Sequence, residues 1–133
     1  AVAEVDARLL PETNAAEFHR WLERRVAPEG VRIEVVKRLP TSGTAPLDTP
    51  FYRAVGRAVS QRMPDAGVFP LLMAGATDGH YWRERGYAAY GFTPVILERQ
   101  DINRVHGVDE RISLDNLLLG IRMTGDIIQA LCA

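Results

Sequence analysis

Apolar and polar positions alternate in two short stretches near the start of the chain, and each alternation predicts a β-strand. The stretches are residues 2–9 and 31–36. Between them, Asn14 followed by Glu17 resembles a capping box and predicts a helix over residues 15–27. Strand, helix and strand in this order make a compact unit of βαβ size.

A stretch rich in turn-forming residues separates this unit from the rest of the chain. Residues 39–49 contain proline, glycine, serine and threonine without any hydrophobic periodicity, and we predict a linker there. The sequence therefore predicts a first domain at residues 1–38, the linker, and a second domain at residues 50–133.

The second domain alternates helix-like and strand-like segments. Thr49 caps a predicted helix that starts at Pro50 and runs to about Arg62, and Ser113 caps a last helix with one long apolar face. Between them the pattern predicts a strand at 68–73, a short helix at 80–85, a strand at 87–92 and a loop at 96–112. This alternation indicates an α/β fold with a largely parallel sheet.

Composition limits the class of protein. With 133 residues, 47% of them hydrophobic and 25% charged, the chain is typical of one globular domain with a real core. A net charge of -1 removes the electrostatic argument for nucleic acid or an anionic membrane as a partner. Cys132 is the single cysteine and cannot form an internal disulfide, so the cytoplasm is the default location.

The beginning of the chain resembles the middle of a strand. It has no initiator methionine, no basic segment and no cleavage motif of a signal peptide. No apolar run approaches the length of a transmembrane helix. We therefore expect a fragment of a longer protein that has no membrane as a partner.

His106 is the first residue that suggests chemistry. It lies in the predicted loop, directly before Asp109, Glu110 and Arg111. A neutral imidazole is a good zinc ligand, and nearby carboxylates can orient its second nitrogen. From spacing alone a surface histidine beside an acidic turn is the better interpretation, because one histidine is not a metal site.

A turn of small residues, Gly75, Ala76, Thr77 and Asp78, follows a predicted buried strand. Small residues let the backbone approach a ligand closely, and Thr77 with the amides of the following helix can bind a carboxylate or phosphate. No lysine follows the glycines, which excludes a nucleotide-binding phosphate loop. The pattern alone favours an ordinary strand-to-helix turn.

Arg8 lies beside Asp6 at the end of the first predicted strand. A fixed guanidinium can bind a substrate carboxylate through two hydrogen bonds, whereas an isolated arginine at a strand end is usually a solvated charge. His19 and His80 are expected to be surface side chains without a functional role.

Taken in order, five segments resemble the C-terminal part of one metallopeptidase family. The segments are 6–11, 42–52, 75–78, 85–92 and 106–111. The family contains aminoacylase-1, glutamate carboxypeptidase, succinyl-diaminopimelate desuccinylase and carboxypeptidase S. The resemblance covers essentially the whole chain and is strongest to the branch of carboxypeptidase S and N-acyl amino-acid hydrolases.

The resemblance implies a particular α/β fold. Residues 50–133 would be the closing segment of an αβα zinc-peptidase catalytic domain. Residues 1–38 would be a βαβ piece, the second half, of an α+β lid or dimerisation domain. A homodimer formed through the lid domain is expected for the same reason.

The resemblance also implies roles for individual residues. His106 resembles the last zinc ligand of the family, and Arg8 resembles the lid arginine that binds the free carboxylate of the substrate. Gly75, Ala76 and Thr77 resemble the loop that helps to hold the same carboxylate. The expected cofactor is zinc, two ions per intact site, of which this chain supplies one ligand.

The implied function is a zinc-dependent amide hydrolase that cleaves peptides or N-acyl amino acids with a free carboxylate. The general-base glutamate and most metal ligands of the family belong to an N-terminal half, so the chain alone is expected to be inactive without that half as its partner. Two other functions stay open, a non-catalytic dimerisation or binding module derived from the family, and an anion-binding α/β domain that uses the turn at 75–79.

Overall fold

Five α-helices and one 3-10 turn make up the regular structure of the described part of the chain. The computed structural model describes residues 1–38, 43–73, 75 and 77–133. The helices are α1 (Ala15–Val26), α2 (Pro50–Arg62), α3 (Gly79–Glu84), α4 (Arg99–Ile102) and α5 (Leu114–Cys132), and the 3-10 turn is Ala27–Glu29.

The chain divides into two compact units, each formed by two separate stretches of sequence. The first unit is Ala1–Ala45 with Leu72–Tyr90 and contains α1 and α3. The second unit is Pro46–Leu71 with Gly91–Ala133 and contains α2, α4 and α5. The division at residues 39–49 that the sequence suggested stays a prediction.

Three helices begin where the sequence predicted them. Asn14, Thr49 and Ser113 each accept hydrogen bonds on a side-chain oxygen from backbone N–H groups two or three residues further along, at 2.9–3.2 Å. These bonds satisfy amides that have no partner inside the helix. The short helix α3 also lies within one residue of its predicted position, whereas α4 is a single turn inside the predicted loop.

The four predicted strands are not formed by the described residues, which are helical or irregular. Residues 2–9, 31–36, 68–73 and 87–92 carry no strand or bridge. A strand needs a neighbour that pairs with its backbone N–H and C=O groups, and these segments find none in the described part of the chain. The helices of the predicted α/β fold are therefore observed here, and its sheet is not.

The core of the second unit is the contact between α2 and α5. Its buried side chains form one stripe on each helix. They are Ala54, Val55, Ala58 and Val59 on α2 and Met123 and Ile127 on α5. The spacing on α2 is that of one helix face, and alanines at two of its four positions let the helix axes approach closely. Burial of this apolar surface is the main stabilisation of the unit.

An ion pair joins the same two helices at the edge of this core. Arg62 at the end of α2 donates from Nε and Nη2 to the two carboxylate oxygens of Asp126 on α5, at 2.6 and 2.9 Å. The hydrogen bonds from Arg62 hold the pKa of the Asp126 carboxyl below its usual value, and the same contact raises the pKa of Arg62. The pair is therefore ionised at neutral pH.

A second apolar face of α5 points away from α2. Leu114, Leu117, Ile121 and Ile128 lie at the spacing of one helical stripe and are exposed. Despite this apolar surface, none of the helices in the described ranges is both long and apolar enough to cross a membrane.

Two neighbouring isoleucines of α5 test this account of the core. Ile127 is 5% exposed and faces α2, whereas Ile128 is 56% exposed. We expect Ile127→Ala to lower the free energy of unfolding by about 2–5 kcal/mol, because it removes buried methylenes and leaves a cavity. Ile128→Ala should change it by less than about 1 kcal/mol. Urea denaturation followed by circular dichroism measures both, and equal losses would show that both faces of α5 are covered.

The ion pair predicts a dependence of stability on pH. Because the pKa of Asp126 is lowered in the folded state, its contribution is complete above the ordinary aspartate pKa of about 3.9 and is lost as the pH falls further. We expect the Tm difference between the native protein and Asp126→Asn to be constant near neutrality and to disappear in acid. Arg62→Gln with Asp126→Asn should behave like Asp126→Asn alone. A Tm difference that stays constant as the pH falls well below the ordinary aspartate pKa would contradict this assignment.

Candidate functional site

The loop that carries His106 starts from a segment held against α5. The side-chain amide of Asn116 accepts a hydrogen bond from the Ile96 N–H at 2.8 Å and donates one to the Ile96 carbonyl at 2.6 Å. One turn later, a Cβ on Gly120 would lie only 3.0 Å from the Pro94 carbonyl oxygen, so the chain passes directly over this glycine. Helix α5 thereby fixes the chain just before α4.

The backbone of the loop is turned so that His106 adopts a left-handed conformation. Its φ is 60°, and Asp109 has the same value, in a region that histidine and aspartate enter more readily than most other residues. The Gly107 N–H donates to the Arg104 carbonyl at 2.8 Å, and the His106 N–H donates to Glu110 Oε2 at 3.2 Å. These two bonds fix the backbone on both sides of the imidazole.

Two arginines and two aspartates close the loop around His106. Asp101 Oδ1 lies 4.0 Å from Arg104 Nε and 3.4 Å from Arg111 Nε. Asp109 pairs with the same two arginines. Arg104 Nη1 donates a hydrogen bond to Asp109 Oδ2, and Arg111 Nη1 lies 3.6 Å from the same oxygen. Each aspartate thus contacts both arginines. Partly exposed pairs are individually weak, but a closed set of four restrains the loop more than one pair would.

The imidazole of His106 is exposed and makes no hydrogen bond or ion pair with other described residues. It can therefore act as a nitrogen ligand without breaking an existing contact. A complete zinc site needs three or four ligands. Outside the few residues that the structure leaves undescribed, no group of three or more histidine, cysteine, aspartate or glutamate side chains could hold a metal. The described residues thus offer one corner of a site and do not form a whole one.

Arg8 in the first unit already contacts a carboxylate. Its Nε and Nη2 donate to Asp6 Oδ2 at 3.0 and 2.8 Å, and both side chains are more than half exposed. The guanidinium is therefore oriented by a neighbour two residues away. A planar guanidinium binds a carboxylate through donors in a fixed arrangement, as Arg8 does here with Asp6.

The small-residue turn also lies in the first unit. Gly75 and Thr77 are exposed, and Ala76 falls outside the described residues. The Thr77 carbonyl receives a hydrogen bond from His80, whose Nδ1 lies 2.7 Å from it. Sequence patterns had indicated a surface role for His80, so this contact is a finding of the structure.

The predicted site residues are divided between the units. Arg8, Gly75 and Thr77 belong to the first unit, and His106 belongs to the second. Their roles in binding substrate and metal stay predictions. The sequence did not identify Asn116 or Asp101 as residues that position the His106 loop. One sign was available for Asn116, because asparagine is unfavourable inside a helix unless its amide bonds elsewhere.

Comparisons with known proteins find that this chain is similar to several hydrolases. The N-fatty-acyl-amino acid synthase/hydrolase PM20D1 of Xenopus tropicalis is 27% identical over 130 residues, which are 97% of this chain and 25% of that protein. The probable carboxypeptidase S-like 2 of Dictyostelium discoideum is 27% identical over 121 residues, 87% of this chain and 22% of that protein. Aminoacylase-1 of Mus musculus is 27% identical over 135 aligned positions, 98% of this chain and 32% of that protein.

The chain is similar to aminoacylase-1 and to carboxypeptidase S-like proteins over most of its length. The resemblance that the order of motifs indicated is thus confirmed. The names of these relatives are those of amide hydrolases, which supports an amide-hydrolase family. The chain spans 22–32% of the length of these three relatives. No family model matches the sequence, and no solved structure matches the fold.

The four-residue ion network makes a prediction about the His106 loop. We expect Asp101→Asn to loosen it, because Asp101 contacts both Arg104 and Arg111. Trypsin cuts after arginine in locally mobile chain, so cleavage after these two residues should become several-fold faster. Cleavage after Arg32, whose ion pair with Glu34 lies elsewhere, is the internal control. Mass spectrometry of timed digests gives each rate, and unchanged rates after Arg104 and Arg111 would exclude a restraining role for Asp101.

Proposed function

We propose that the chain is part of a zinc-dependent amide hydrolase that releases amino acids from N-acyl amino acids or from small peptides with a free carboxylate. The observation that carries this proposal is the similarity to an aminoacylase, a carboxypeptidase-like protein and an N-fatty-acyl-amino acid hydrolase over 87–98% of the chain. The exposed imidazole of His106 on a restrained loop supports it.

In this proposal His106 supplies one nitrogen ligand for zinc in the intact protein. The left-handed backbone and the contact of the His106 N–H with Glu110 hold the loop, so that the imidazole can bind zinc without breaking a hydrogen bond to the described residues. When bound, zinc would polarise the amide carbonyl and activate a water molecule. Most of the remaining ligands and the general base would come from another part of the intact protein, and the described residues contain no group of three or more candidate ligands that could hold a metal by itself.

Recognition of the substrate is proposed for the first unit. The Arg8 guanidinium would bind the free carboxylate of the substrate, as it binds the carboxylate of Asp6 in the structure. Gly75, Ala76 and Thr77 would hold the same carboxylate through backbone N–H groups and the Thr77 hydroxyl. An uncharged amide in place of the carboxylate would lose the charge-assisted part of this binding.

We propose that a sheet of the αβα type forms in the intact protein. Its support is the exposure of apolar residues in the segments that lack strand partners. Phe69 and Leu71 are 83% and 89% exposed, and Val2 and Val5 are similarly uncovered. Pairing with strands from other parts of the protein would satisfy the backbone groups of these segments and cover their side chains.

We also propose that residues 1–38 contribute to a lid domain through which two copies can associate. Val31, Val35 and Val36 are exposed there, as is Trp21 on α1. An exposed apolar surface of this kind is typical of interfaces between protein chains. Neither nucleic acid nor a membrane is proposed as a partner, because the net charge is only -1.

The His106→Gly variant of the intact protein tests the proposal. Glycine adopts a φ of 60° without strain, so the fold and Tm should be preserved while the imidazole is lost. We expect release of amino acids from N-acyl substrates to fall by more than the roughly 10–100-fold that loss of an outer-shell partner costs. Zinc content measured by mass spectrometry should fall as well.

His19→Ala is the matched control, because His19 is an imidazole on α1 paired with Glu23. It should leave zinc content and turnover unchanged. If release of amino acids is equally fast after chelation, the zinc assignment is wrong. If the native intact protein releases no amino acid from a panel of N-acyl substrates, the hydrolase proposal itself is wrong. A non-catalytic binding or dimerisation module would then be the better description.

A further inference from the structure

Thr77 is held by a residue three positions further along the chain, His80. The main-chain N–H of His80 donates to the Thr77 carbonyl at 3.3 Å, which is long for such a bond, and Nδ1 of its ring lies 2.7 Å from the same oxygen. A carbonyl oxygen only accepts, so Nδ1 must carry the hydrogen. The ring therefore makes the shorter of the two bonds that fix the orientation of the Thr77 peptide group.

The His80 ring is half-buried and makes little contact other than the bond to Thr77. Its centroid lies 3.8 Å from that of Tyr81 at an angle of 40°. Nε2 is shielded from solvent and has no hydrogen-bond partner among the residues described. A buried nitrogen without a partner is destabilising, and a phenylalanine ring would occupy the same space without that cost. Packing alone does not explain a histidine at this position, whereas the bond to Thr77 does.

The Thr77 hydroxyl and the Arg83 guanidinium both approach the position that a Cβ on Gly79 would occupy. A Cβ on Gly79 would lie 3.2 Å from Thr77 Oγ1 and 3.0 Å from Arg83 Nη1. Arg83 is itself fixed, since Nη1 donates to the Ala89 carbonyl at 3.0 Å. A hydroxyl donor beside a fixed cation is a chemical combination that favours a carboxylate. Rotation of the Thr77 peptide group would move the hydroxyl away from this arrangement.

We infer that His80 is a positioning residue for the carboxylate of the substrate, acting through its Nδ1 bond to the Thr77 carbonyl. This inference rests on the proposed function, in which Thr77 belongs to the loop that binds the carboxylate. His80 does not touch the substrate in this account. It keeps the Thr77 hydroxyl aimed at the position that the carboxylate occupies.

Steady-state kinetics of the intact protein with two substrates test this role. The substrates are an N-acyl amino acid and the corresponding N-acyl amino-acid amide, which lacks the carboxylate. His80→Phe keeps a ring beside Tyr81 and removes the donor to Thr77. We expect KM for the acid to rise by about 2–10-fold, the range for one neutral hydrogen bond. The kcat for the acid and the KM for the amide should stay at their native values. The Tm should be unchanged or higher, because the unpaired Nε2 is removed.

His80→Asn is the conservative variant. Its Nδ2 can reach the place of the histidine Nδ1, so most of the native KM for the acid should return. A fall of Tm and of kcat for both substrates in His80→Phe, without a change in the ratio of the two KM values, would show a purely structural role and overturn the inference. The same conclusion follows if His80→Asn is no closer to native than His80→Phe.

Arg8→Ala separates failure of this inference from failure of the proposed function. If Arg8→Ala raises KM for the acid and His80→Phe does not, the role of His80 is refuted and carboxylate recognition stands. If the native protein hydrolyses neither substrate, or if neither Arg8→Ala nor His80→Phe changes KM for the acid, the proposed function fails and the inference fails with it.

Discussion

The packing of α2 on α5 is the contact on which the described structure of the second unit depends. Alanines at positions 54 and 58 bring the helices close, and Met123 fills the space between them. This packing fixes the orientation of the α5 face that carries Asn116 and Gly120. Residues 94–96 are bound against that face by these two residues. The position of the His106 loop thus follows, step by step, from a helix interface made of small side chains.

In the His106 loop, an unfavourable backbone conformation is stabilised by polar contacts within the same few residues. His106 and Asp109 both adopt left-handed backbone conformations, which side chains generally disfavour. The Glu110 carboxylate and the two arginines that pair with Asp109 bind within the same few residues. Polar contacts inside one short segment therefore maintain a geometry that apolar burial does not enforce there. This division leaves the imidazole exposed while the rest of the loop is restrained.

Sequence patterns predicted the helices well and the strands poorly, for a physical reason. A helix closes its hydrogen bonds within one segment, so Asn14, Thr49 and Ser113 could be recognised as caps from local sequence alone. A strand depends on a partner that the local sequence does not reveal, and residues 68–73 remain irregular in the described structure. For the candidate site, the order of motifs indicated His106, and its role as a metal ligand stays a prediction. The ion network and the His80–Thr77 bond could not be predicted, because they depend on how the chain turns back on itself.

The uncovered segment at residues 68–73 has a practical consequence. Phe69 and Leu71 project from it almost fully exposed, no charged residue interrupts it, and Pro70 alone lacks a backbone donor. Pro70 limits intermolecular β-pairing, but the exposed apolar side chains on both sides of it still favour association between copies at the concentrations used in purification. Preparations of this chain by itself should suffer from precipitation that starts at this segment. Co-expression with the remaining part of the intact protein, if that part covers Phe69 and Leu71, would remove the cause of this association.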